Sequence, residues 1–111
     1  EIDTTESAPM MMPEVMPEFP GGEDALVEYL KNSIKYPEAA RKDGLTGAAY
    51  INFIIDENGE ATNITCQHTT NPLFSAEAIR VVEKMPKWKP GRQGGKIVRV
   101  IMTLPVTFRL L

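Results

Sequence analysis

The run from Val98 to Leu110 constrains this chain more than any other segment. Val98, Val100, Met102, Leu104, Val106, Phe108 and Leu110 alternate without a break, and the opposite row includes Arg99, Thr103, Thr107 and Arg109. A period of two held over this length predicts one long strand, Lys96 to Leu111, with one face in a core. Pro105 falls inside it. Proline has no N–H to give to a ladder, so the strand belongs at a sheet edge or bulges there. An edge strand displays unpaired backbone groups that must be blunted or serve a partner. Pro105, Arg99 and Arg109 blunt this one in part. The residues alone leave two readings open, a protected edge or a platform on which an extended peptide adds a strand.

The rest of the chain supplies what such a strand packs against. Gly47 opens a second alternating run in which Ala49, Ile51, Phe53 and Ile55 oppose Ala48, Tyr50, Asn52 and Ile54. Both rows are substantially apolar, which predicts a central strand packed on one face and partly covered on the other. Asp56-Glu57-Asn58-Gly59 predicts a hairpin turn, since Asn-Gly takes the positive φ that tight turns need. The returning strand, about Glu60 to Thr69, would put Ile64, Cys66 and His68 on one side and Asn63, Thr65 and Gln67 on the other.

Helical periods appear in two places and a short third. Leu26, Tyr29, Leu30 and Ile34 share a face of a helix predicted from about Glu23 to Lys35, with Glu23 and Asp24 at its positive end. Tyr36-Pro37 stops it, because the residue before proline is pushed out of the α region. Pro37 can then open a short helix through Lys42, closed by Gly44. Asn71-Pro72 starts a helix to about Met85, with Phe74, Ala78, Val81, Val82 and Met85 as its stripe and Pro86 after it. Lys87 to Gly95 is a loop around Trp88, a residue expected to plug the end of the sheet. The order of elements predicts an α+β, two-layer sandwich: a small antiparallel three-stranded sheet packed against helices.

At 111 residues there is room for one domain, which buries roughly two-thirds of its unfolded surface. Residues 1–20 show neither period, and Pro9, Pro13, Pro17 and Pro20 fix their backbone, so they predict an extended Pro/Met/Glu-rich linker with the domain over 21–111. Residues 1–24 carry seven acids and no base, leaving twelve bases against eight acids in the body. The bases are scattered and few aromatics lie among them, which argues against nucleic acid or a membrane surface as partner. No stretch is long and apolar enough to span a bilayer, and with no signal peptide and no initial methionine the chain reads as a piece of a longer protein.

Catalytic constellations are thin. One cysteine and one histidine, two apart on a strand, allow a Cys66–His68 pair on a shared face, but a packed cysteine beside a half-exposed histidine is the plainer reading. A zinc site lacks ligands. Asp56 to Glu60 misplaces its glycine for a calcium loop, and Gly21-Gly22 and Gly94-Gly95 are turns rather than phosphate cradles. No cofactor is expected. Lys84, Lys87, Lys89, Arg92 and Lys96 gather around Trp88, as a solvated surface or a patch for an acidic partner.

Several fragments, in consistent order from Pro17 to Leu111, resemble the C-terminal domain of the TonB family. They are Pro17-Glu18-Phe19-Pro20-Gly21-Gly22, Tyr36-Pro37 followed by Gly47, Ile51 to Gly59, Glu77 to Val82, Met85-Pro86-Lys87-Trp88-Lys89-Pro90-Gly91 and Leu104-Pro105-Val106-Thr107-Phe108. The resemblance implies a non-enzymatic periplasmic domain of an inner-membrane-anchored transducer in a Gram-negative bacterium. It implies a partner, the TonB box at the N-terminus of outer-membrane transporters, paired along Val98, Arg99, Val100, Ile101, Met102, Thr103, Leu104, Pro105, Val106, Thr107 and Phe108, with Tyr36 and Pro37 near the contact. It implies a second partner, a proton-driven ExbB/ExbD-type motor complex, through a region ahead of Glu1, and allows a homodimer by strand exchange. Similar modules fused to membrane sensors or peptidases give an alternative, a partner-binding or sensor role.

Overall fold

The computed structural model describes residues 9–110; the first eight residues of the predicted linker, with Glu1, Asp3 and Glu6, lie outside them. Among the described residues, three helices and five strands follow one another as α1 (Glu23–Ser33), α2 (Glu38–Lys42), β1 (Gly47–Ile55), β2 (Ala61–Thr69), α3 (Pro72–Glu83), β3 (Gly91–Gln93), β4 (Lys96–Val98) and β5 (Val100–Phe108). The main sheet has the antiparallel order β2-β1-β5, and β3 and β4 form a separate two-stranded ribbon. The α+β reading therefore stands, with β1 in the middle.

The inward row of β1 is Ala49, Ile51, Phe53 and Ile55, all at most 1 % exposed, and it shares one core with Val106 and Phe108 of β5 and Phe74, Ala78 and Val82 of α3. Removing such apolar surface from water supplies the main drive for this core. Asn71 caps α3, its side-chain oxygen accepting from the Leu73 N–H at 2.9 Å. Trp88, 6 % exposed, packs edge-on against Phe19 and Phe53 with ring centres 5.5 and 5.9 Å away. Its backbone N–H donates to the Gly59 carbonyl at 2.7 Å. A Cβ on Gly59 would stand 2.0 Å from the Trp88 carbonyl oxygen. That approach, with φ of 84°, explains why glycine ends the β1–β2 turn. Gly59 alone in that turn takes positive φ; Asp56 holds the remainder, its Oδ1 accepting from the N–H groups of Asn58 and Glu60.

Three sequence expectations change. The long final strand is two strands, because the chain leaves the β3–β4 ribbon at Arg99 before joining β1; Val98 and Val100 still both point inward. Cys66 and His68 do not share a face. Cys66 opposes Ile51 while His68 opposes Tyr50, so Gln67 is an extra residue in a bulge that turns the strand over. Cys66 faces the core cluster; His68 stands on the outer face beside Tyr50, ring centres 6.1 Å apart. Finally, the described part of the predicted linker is extended but pressed against the domain. Phe19 is 6 % exposed, and Pro13 and Pro17 are buried.

Candidate functional site

β5 pairs with β1 over its whole length in unbroken register, from Val100 opposite Ile55 to Phe108 opposite Gly47. There is no bulge at Pro105, so the alternative of a plain edge strand holds. Backbone groups in an antiparallel strand turn alternately to either side. The Ile101 N–H points away from β1, donating to the Met10 carbonyl at 2.8 Å, so Ile101, Thr103, Pro105 and Thr107 present their backbone groups to the outer flank. Pro105 thus sits where its missing N–H costs the β1–β5 ladder nothing. The chain itself takes only the top of this flank, where Met10 donates to the Arg99 carbonyl at 2.8 Å and accepts from Ile101. Among the described residues, no hydrogen bond engages the outward backbone groups of Thr103, Pro105 and Thr107, and all three residues are exposed.

A trough runs beside this flank. Its lower part, about 530 Å³, is lined by Val27, Leu30, Lys31, Ile34 and Tyr36 on one side and by Pro105, Thr107, Phe108 and Arg109 on the other. A second, smaller cavity of about 240 Å³ lies further up the strand, between Phe19, Leu26 and Trp88 and the stretch Met102 to Leu104. As the lining residues of β5 rise in number, so do those of α1, so the helix follows the strand in the same direction. The trough is apolar along its floor with cationic Lys31 and Arg109 at its lower end.

α1 is held in place chiefly from its far side. The Tyr29 hydroxyl donates to the Val81 carbonyl at 2.8 Å, and Arg80 Nη2 donates to the Ser33 carbonyl at 2.8 Å. Arg80 also grips Glu77 through two bonds of 2.9 and 2.7 Å, and Glu77 Oε2 accepts from the Lys35 N–H at 2.7 Å. The Arg80 hydrogen bonds hold the Glu77 carboxyl below the usual carboxylate range; desolvation opposes them and the Lys35 bond assists.

The residues predicted from resemblance are therefore not equivalent. Val98, Val100, Val106 and Phe108 are buried, and Met102 and Leu104 half-buried, all inward. Ile101, Thr103, Pro105 and Thr107 face the open flank, while Arg99 lies between the two sheets beside Met10. Tyr36 closes the trough, its ring edge-on to Phe74 and Phe108 at 5.9 Å each and its hydroxyl donating to the Leu45 carbonyl. Pro37 caps α2 and does not line the trough. Sequence reasoning missed the α1 wall, although Val27 carried a signal: it is apolar, lies off the helix's core stripe and is 48 % exposed.

Residues 32–110 match the family model for the Gram-negative bacterial TonB protein C-terminal region. Among solved structures, the TonB C-terminal domain of Pseudomonas aeruginosa is 26 % identical, with a TM-score of 0.58 over 69 % of this chain and 78 % of that one. Two structures of the Helicobacter pylori domain share the fold. The shorter, residues 194–285, is 17 % identical with a TM-score of 0.60 over 77 % and 89 % of the two chains. The longer, residues 179–285, is 18 % identical with a TM-score of 0.56 over 83 % and 87 %. No curated protein sequence matches. Fold, order of elements and family model agree, and the chain belongs to the family of Gram-negative TonB C-terminal domains, periplasmic modules of energy transduction and receptor binding.

Proposed function

We propose that the domain takes the extended N-terminal peptide of an outer-membrane transporter as an added strand on β5 and passes to it work derived from the proton-motive force. The observation that carries this reading is the open flank of β5 from Thr103 to Thr107, lying beside an apolar trough. Main-chain pairing supplies affinity that depends little on peptide sequence, which suits one transducer serving several receptors. A strand pulled lengthwise loads its hydrogen bonds together, so the contact resists force beyond what its equilibrium affinity suggests. Coupling to an ExbB/ExbD-type inner-membrane motor would run through a region ahead of Glu1.

Titration with synthetic transporter N-terminal peptides, followed by backbone amide shifts, tests the site. The largest changes are expected at Thr103 and Thr107 and along the α1 wall at Val27 and Leu30. Changes gathered on β2 or around Lys84 and Lys87 would sink the assignment. A concentration-dependent shift of the same β5 amides without peptide would instead identify a second copy of the chain as occupant.

A further inference from the structure

The acidic stretch ahead of α1 is tied to the domain at three points, each by a pair of backbone hydrogen bonds. Glu18 exchanges bonds with Lys89 at 3.0 and 2.8 Å, Val15 with Arg92 at 3.0 and 2.9 Å, and Met10 bridges Arg99 and Ile101 at 2.8 Å each. Glu14 adds two more to the β3–β4 ribbon, its N–H donating to Gln93 Oε1 and its Oε1 accepting from the Gly94 N–H, both at 2.7 Å. The stretch also lays Glu14 and Glu18 on the ribbon region that carries Lys89, Arg92 and Lys96. The basic patch seen in the sequence thus meets an acidic segment of its own chain.

These ties differ in strength. Below Pro13 the segment is anchored by buried Pro13, Pro17 and Phe19. Above it, Met11 and Met12 are 70 % and 85 % exposed, so Met10, half-buried and held by its two backbone bonds, is joined to the anchored part through residues that make no buried contact of their own. Those two bonds occupy the same flank of β5 that the proposed peptide would use.

We propose that residues 10–19 form a strap whose outer end, Met10, competes with an incoming strand for the top of β5 and so sets how far that strand can zip. The inference rests on the strand-addition reading above. With the strap down, a foreign strand pairs from the Ile101 carbonyl to Thr107. With Met10 lifted, it gains the Ile101 N–H and the Arg99 carbonyl, the same two bonds Met10 gives up. A strand long enough to reach them displaces Met10 by exchange of like for like, while the buried prolines and Phe19 keep the rest of the strap in place. A short strand has nothing to gain from the displacement.

The test uses the full chain and Met10→Pro, which removes the N–H given to Arg99, with Val15→Pro as a second variant loosening the next tie. Amide hydrogen exchange without ligand is read first: Ile101 is expected to exchange at least tenfold faster in Met10→Pro. Four- and eight-residue synthetic peptides from one transporter N-terminus are then titrated. Met10→Pro is expected to raise affinity for the eight-residue peptide roughly three- to tenfold and to leave the four-residue peptide within twofold. Unchanged Ile101 exchange in both variants, or equal gains for the two peptides, overturns the strap while leaving strand addition intact. If neither peptide shifts any β5 amide in any form, strand addition itself fails and the strap's role goes with it.

Discussion

The two edges of the main sheet are built in opposite ways. β2 carries two extra residues against β1, one between its partners of Ile54 and Asn52 and one at Gln67, and Asn63 sits at φ 51°. β5 keeps register with β1 over nine residues. Bulges twist an edge and interrupt the row of groups that a second chain would need, which is a common means of preventing edge-to-edge pairing. One edge of this domain has that protection and the other does not. Where the protection is missing, an apolar trough runs alongside. An edge left regular beside a trough reads as a place meant for a partner, whereas regularity alone would read as a hazard.

The sharpest way to break this contrast is at Asn63. Asparagine tolerates positive φ; a β-branched residue does not. Asn63→Val is expected to destabilise the domain by about 1–3 kcal/mol, while Asn63→Gly stays close to wild type, as urea unfolding would show. A valine variant of unchanged stability would mean that the bulge is not fixed by the backbone. β2 would then be no better protected than β5.

Most of this architecture was legible in the sequence, and the misses lie mainly where no period is strong; the break at Arg99 is the exception, hidden because the alternation runs unbroken from β4 into β5. Period-two patterns gave β1 and β5 because each has a dry face whose apolar residues cannot shift register without exposure. The same logic failed on β2, where Thr, Asn and Gln leave the pattern weak. A bulge at Gln67 was invisible, and Cys66 and His68 were placed together on one face. Pro105 marks the edge strand from sequence alone because its constraint is covalent and local. The packed strap was not legible: Pro13, Pro17 and Phe19 are scattered apolar residues in a proline-rich segment, and nothing periodic announces their burial. The trough was half legible, since Val27 stands off the core stripe of α1 but a single exposed valine needs no explanation.

A smaller effect sharpens the other edge. Pro105 leaves one gap in the row of outward donors on β5. Pro105→Ala restores it and removes the one covalent block on that flank. An added hydrogen bond contributes about 0.5–1.5 kcal/mol, so affinity for a transporter peptide is expected to rise about two- to tenfold. Self-association at high concentration should rise with it, measured by sedimentation. A variant that binds peptide no better and stays equally monomeric would show that neither kind of strand reaches Pro105, confining the usable edge to the residues around Thr103.

The smallest effect concerns the wall of the trough rather than the strand. Glu77 joins Arg80 and the Lys35 N–H, and through Arg80 the Ser33 carbonyl, so this cluster fixes the end of α1 against α3. Its carboxyl is held below the usual carboxylate range, first by the hydrogen bonds from Arg80. A depressed carboxylate pKa contributes stability that is complete above the unfolded value and is lost as pH falls through the folded one. Wild-type stability should therefore decline below about pH 4.5 more steeply than that of Glu77→Gln. Near neutral pH the substitution should weaken peptide binding no more than about twofold, because the wall loosens at one end while β5 is untouched. Identical acid slopes for the two proteins would remove the cluster from the support of the trough. A large loss of binding would mean that α1, and not the strand edge, supplies most of the grip.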